Sequence, residues 1–125
     1  MILLVANLGS TRFKFRLFDM SDERHLALVG GDEIAAPDHG TATAACLERL
    51  TDPEQGCLRT VGDVAAIGFK AVHGGRVTGV RRVDDDVLAA MAEMNAICPA
   101  HNPPYIAAMR QLRERMPELP LAAAF

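Results

Sequence analysis

The sequence predicts an α/β fold, a mixed β-sheet flanked by helices, and three patterns carry that prediction. The chain opens on Ile2-Leu3-Leu4-Val5-Ala6, an uninterrupted apolar run with no polar face. Such a run reads as a central strand covered on both sides. Next, Phe13 to Phe18 alternates, with Phe13, Phe15 and Leu17 on one face and Lys14 and Arg16 on the other, so the first two strands make a hairpin. Beyond residue 40 the period changes, and helical and strand patterns alternate to the end of the chain.

Taken in order, Leu26 to Val29 supplies a third strand, set off by Asp22-Glu23 before it and Gly30-Gly31 after. Asp32 to Gly40 is polar and turn-rich and reads as an excursion. Thr41 to Leu50 reads as a helix stopped by Asp52-Pro53. Val61 to Val72 contains the next apolar strand, Val64 to Phe69, ending at His73-Gly74-Gly75. Val83, Val87, Leu88, Met91 and Met94 recur at helical spacing, with Asp84 to Asp86 where acids favour a helix N-terminus. A third helix begins at Asn102-Pro103-Pro104, with Asn as N-cap and Pro in the first turn. Its core stripe is Tyr105 or Ile106, then Met109, Leu112 and Met116. Pro117 to Pro120 ends it, and Leu121 to Phe125 starts another strand.

At 125 residues, half of them apolar, the chain has the size of one modest domain. Its net charge is −3, and only Arg110 to Arg115 concentrates basic residues, with Glu114 among them, which argues against nucleic acid as a partner. The three cysteines, Cys46, Cys57 and Cys98, are odd in number and form no CxxC pair, as expected of a reducing compartment. Met1 to Ala6 lacks the basic lead and cleavage site of a signal peptide, and no stretch approaches the roughly 20 apolar residues of a membrane span. The expectation is a soluble cytoplasmic protein without membrane partners. The tail Leu119 to Phe125 is apolar and of strand type, which is unusual for a chain end and reads as truncation.

Three segments hold chemistry-bearing residues. The loop Asn7-Leu8-Gly9-Ser10-Thr11-Arg12 offers an amide, hydroxyls and a glycine, with Lys14 across the turn. Phosphate binding uses that set, although any hairpin turn favours Asn, Gly and Ser. Lys70-Ala71-Val72-His73-Gly74-Gly75 puts a cation and two glycines at the carboxyl end of a strand, where glycines open room for a ligand; a plain turn is the alternative. His101, ahead of a helix N-terminus, is placed either to donate to a phosphoryl oxygen or to lie idle on the surface. Walker spacing, GxGxxG, zinc spacing and a Ser-His-Asp order are all absent from the sequence.

The three segments together resemble the acetate kinase family. "ILLVANLGSTRFK" (Ile2 to Lys14) is similar to its opening, an apolar strand, N-x-G-S-S-S, a hydrophobic residue and Lys. "AVHGG" (Ala71 to Gly75) and "PAHNPP" (Pro99 to Pro104) resemble its next two motifs, in order and at about the family's separations. "PLAAAF" resembles the strand that leads into F-D-T-A-F-H.

The resemblance implies a partial N-terminal domain over residues 1–125 with a ribonuclease H-like, actin-type ATPase fold. It implies transfer of the γ-phosphoryl group of ATP to a short carboxylate with Mg²⁺, giving an acyl phosphate, in a protein that is often a homodimer. Asn7 matches the metal-associated position, and Ser10 and Lys14 match groups beside the nucleotide phosphates. Lys70 stands where the family usually has a substrate-binding Arg, and His101 matches an active-site histidine. Arg12 in place of the loop's last serine and Lys70 in place of Arg are departures; the second forgoes a two-pronged grip on a carboxylate. The motif's catalytic aspartate falls directly after Phe125, so the expectation is a chain inactive alone. Two alternatives stand beside it: a propionate or butyrate kinase, and a non-catalytic actin-like module that pairs through a sheet edge.

Overall fold

A computed structural model describes residues 1–8, 13–21, 27–34, 39–54, 56 and 58–125. Its core is a six-stranded mixed sheet in the order β3-β2-β1-β4-β6-β5. Strand β1 (Ile2–Leu8) pairs antiparallel with β2 (Phe13–Asp19) and parallel with β4 (Val64–Lys70). β4 pairs parallel with β6 (Leu121–Ala124), β3 (Ala27–Ile34) borders β2, and the short β5 (Val80–Arg82) closes the other edge antiparallel to β6.

The helices α1 (His39–Leu50), α2 (Asp85–Glu93) and α3 (Asn102–Arg115) all feed one buried cluster. Ala42, Cys46 and Leu50 of α1 meet Tyr105, Met109 and Leu112 of α3 over Leu4, Phe15, Ile67 and Leu121 of the sheet. Those strand residues all fall on one face by the two-residue alternation. Tyr105 and Ile106, which the periodicity left as alternatives, are both buried.

The predicted order of strands and helices is observed, with four differences. β5 has only three residues, all exposed, and carries too little pattern to be read as a strand. β3 runs through Gly30-Gly31 rather than stopping before them. The register shifts where Leu17 faces Gly30 and Phe18 faces Leu28, and glycine is the residue a bulged strand tolerates. Of the expected excursion, Asp32 to Ile34 belongs to β3, His39-Gly40 opens α1, and residues 35–38 lie outside the described set. Finally, β1 is central but is covered on one face only, since Val5 is 40% exposed.

The carboxyl ends of β1, β4 and β6 point to one end of the sheet. There lie Asn7, Lys70 and Ala124, paired side by side. In open α/β sheets that end is where ligands sit.

Candidate active site

Asn7 is in register with Lys14 on one side and Lys70 on the other, so the three side chains share one row on the exposed face. Neighbouring strands lie about 4.8 Å apart, which puts the two ammonium groups on opposite sides of one amide. Tertiary pairing thus joins residues 56 positions apart in the chain, Lys14 and Lys70. Ser10 lies outside the described residues.

His101 stands at the same end but on the helical side, half-buried, at the N-terminal boundary of α3. Among the described residues it makes no side-chain hydrogen bond to Asn7, Lys14 or Lys70. What connects it to the strand end is its neighbour. Asn102 is fully buried, and its Nδ2 donates to His73 O at 2.8 Å and to Met91 O at 2.9 Å. One amide therefore ties the segment after β4, the last turn of α2 and the first turn of α3.

This overturns the expectation that Asn102 caps α3. The boundary residue is His101, with no capping side-chain bond, and Asn102 is the first helical residue. The reason lies in the two prolines. A helix start leaves its first four N–H groups orphaned. Here Pro103 and Pro104 have none, Asn102 N reaches Cys98 O at 3.0 Å and Tyr105 N reaches His101 O at 3.1 Å. With no orphan to satisfy, the asparagine side chain is free for tertiary work, and no first-turn N–H is left for an anion.

The two glycines after His73 do not clear space for a ligand. A Cβ on Gly74 would lie 2.5 Å from Val77 O and 2.8 Å from the Phe125 ring, and one on Gly75 3.1 Å from Ala90 O. Gly75 also has φ +63°, and its N–H donates to His73 Nδ1 at 3.1 Å. The His-Gly-Gly turn is packed shut against α2 and Phe125. The Asn102 clamp and this packing left no signal in the sequence, because a buried amide and a close backbone approach are products of the fold.

No cluster of three or more His, Cys, Asp or Glu able to hold a metal occurs among the described residues. A cleft of about 680 Å³ lies at the other end of the sheet, lined by Arg82, Arg110 and Arg113 and by Asp84, Asp85 and Glu114. Its charges balance, Arg113 binds Asp85 at 2.7 Å, and Asp84 caps α2, so it lacks the free positive charge of the Asn7 row.

A family model described as the acetokinase family matches residues 2–125. The chain belongs to the acetokinase family. Acetate kinases of Trichlorobacter lovleyi and Moorella thermoacetica are 33% and 34% identical to it over its whole length. The chain spans 35% and 37% of those relatives, about a third of their length. The Porphyromonas gingivalis acetate kinase structure superposes on 99% of the chain with a TM-score of 0.81 at 23% identity, covering 37% of that protein. A Francisella tularensis propionate kinase superposes with a TM-score of 0.72 at 22% identity, again over 99% of this chain and 36% of the other. These likenesses show the fold, the actin-like ATPase type that the sequence implied. No helix of the described residues is long and apolar enough to cross a membrane.

Proposed function

We propose that this acetokinase-family chain supplies acceptor-side and phosphate-side groups of an ATP-dependent kinase that converts a short carboxylate, acetate in the first instance, to its acyl phosphate. The observation that supports this most is the row Lys14–Asn7–Lys70 at the carboxyl end of the sheet. Transferring a phosphoryl group between two anions requires concentrated positive charge around a loose, anionic transition state. In the reaction a carboxylate oxygen bonds to the γ-phosphorus, the bond to the bridging oxygen breaks, and ADP leaves. Lys70 holds the carboxylate as a point charge, Lys14 and Ser10 steady the phosphates, and His101 donates to a phosphoryl oxygen. The site lies in the cytoplasm, with its ATP.

Magnesium fits this row only in company. Asn7 offers one neutral oxygen between two ammonium groups, which repel a bare dication. Mg²⁺ prefers to keep waters and to be held through substrate phosphates. Asn7 would thus contribute a single oxygen to a metal that arrives with the nucleotide and neutralises phosphate charge.

Titrating acetyl phosphate into the isotope-labelled 125-residue chain tests the reading. Amide shifts are expected at Asn7, Lys14 and Lys70, and their loss in Lys14→Met and Lys70→Met. Shifts confined to the Arg110–Arg113 cleft, or none, would overturn it. Mg²⁺ alone is expected to move nothing at Asn7.

A further inference from the structure

Lys70 and His101 reach the ligand end of the sheet by different routes. Lys70 closes β4, and His101 stands at the start of α3, 31 positions later. Each is held by its own surroundings. After Lys70, Ala71 N donates to Ala124 O at 2.9 Å and Val77 N to Gly74 O at 3.1 Å. At the entry to α3, His101 N donates to Cys98 O at 3.3 Å, and His101 O accepts from Tyr105 N at 3.1 Å. These bonds do not join the two segments, and the Asn102 side chain does. Its Nδ2 donates at 2.8 Å to the carbonyl of His73, three residues past Lys70, and at 2.9 Å to Met91 O.

As a device for stability alone, this amide is a poor choice. Its Oδ1 is buried without a partner among the described residues. The other such acceptor, Asn95 Oδ1, lies in the connection between α2 and α3 that leads to it. A buried acceptor that loses its water and gains no partner is costly, whereas the hydrogen bonds formed in exchange return only a modest net gain. Departures of this kind gather where a side chain supplies geometry. The amide suits that task, because its two N–H groups diverge at a fixed angle in one plane and so set direction as well as distance.

We infer that Asn102 is a positioning residue of the acceptor site, holding His101 at a fixed offset from the Lys70 end of β4 so that both meet one ligand. The inference rests on the reading of Lys70 and His101 as groups that engage that ligand. Asn102 is fully buried and therefore acts through its neighbours rather than on the ligand itself. Without its two donors, the start of α3 is free to shift against the His-Gly-Gly turn, while the backbone bonds within each segment remain. A displacement of about 1 Å is enough to spoil the placement of two groups that act together.

The test titrates acetyl phosphate into the isotope-labelled 125-residue chain and follows the Lys70 amide and the His101 ring by NMR. In the unaltered chain both are expected to shift with one midpoint. In Asn102→Ala the far-ultraviolet circular dichroism should be unchanged and the Lys70 shift should persist. The His101 ring should no longer follow it, and the affinity should fall about tenfold. Leu112→Ala deletes a buried core side chain about 15 Å further along α3 and lowers stability at least as much. It should leave both responses in place. Loss of the His101 response in Leu112→Ala as well would reduce Asn102 to a structural role and overturn the inference. So would an Asn102→Ala chain that binds as the unaltered chain does. Should Asn102→Ala not fold, the unaltered chain decides: the Asn102 Nδ2 protons are expected to move in step with Lys70 and His101, and unmoved protons overturn the inference. If Lys70 and His101 both ignore acetyl phosphate in the unaltered chain, the phosphotransfer reading falls and takes this inference with it. The other adverse outcomes overturn the inference and leave that reading standing.

Discussion

Asn102 shows how much can depend on one amide. Its two donors bind carbonyls of residues 29 and 11 positions away, while its own Oδ1 is buried without a partner among the described residues. Asn102→Ala removes both bonds and takes the side-chain donor from His73 O, while Met91 O keeps the Met94 N–H at 3.0 Å, and should lower the unfolding free energy by about 1–3 kcal/mol, measured by denaturant titration. Asn102→Asp, of the same shape but unable to donate, should do no better. Faster amide exchange at Gly75, next to the freed His73, would show that the clamp holds the turn. The glycines make a paired prediction. Gly75→Ala meets both a left-handed φ and the Ala90 carbonyl, and should cost about 1–3 kcal/mol. Gly68→Ala meets nothing, and should be within about 0.5 kcal/mol of neutral in the same titration.

At the scale of elements, α2 is fixed from its first turn. Asp84 Oδ1 accepts from Val87 N at 2.8 Å, so Asp84→Ala should cost about 1 kcal/mol of stability. Asp86, two residues on, is gripped by Arg76 with contacts of 3.1 and 2.9 Å. The hydrogen bond from Arg76, then its charge, holds the Asp86 carboxyl below the usual carboxylate range. A depressed acid contributes stability that is present above its unfolded pKa, about 4, and is lost as pH falls through the lower folded value. Asp86→Asn should therefore lower the melting temperature slightly at pH 7 and leave it unchanged near pH 2, a difference that scanning calorimetry resolves. Both partners are half-exposed, so the effect should also shrink in high salt.

For the whole molecule, the sheet brings the Asn7 row together at one end and leaves one face open, while the helices fill the other. The chain spans 35% of the Trichlorobacter lovleyi relative. A polypeptide of these 125 residues, tested by itself, is expected to form no acetyl phosphate from ATP and acetate in a hydroxamate assay, and clear turnover would contradict that. Much of this was legible in the sequence. Apolar runs mark β1 and β4, period-2 alternation marks β2 and period-3.6 spacing marks α2 and α3, and the motifs around Asn7, Lys70 and His101 mark the family because their order is written along the chain. The three-residue β5 and the continuation of β3 through its bulge and Gly30-Gly31 were not legible, since their pairing depends on neighbours rather than on their own pattern. By itself the sequence determined the α/β class, the order of elements and the cationic motifs, all of which are local. Only the tertiary structure decided that Lys14 and Lys70 flank one amide, that the His-Gly-Gly turn is closed, and that Asn102 clamps rather than caps. Each of those depends on which residues, far apart in the chain, meet in register or in the buried core, and local pattern has no access to that.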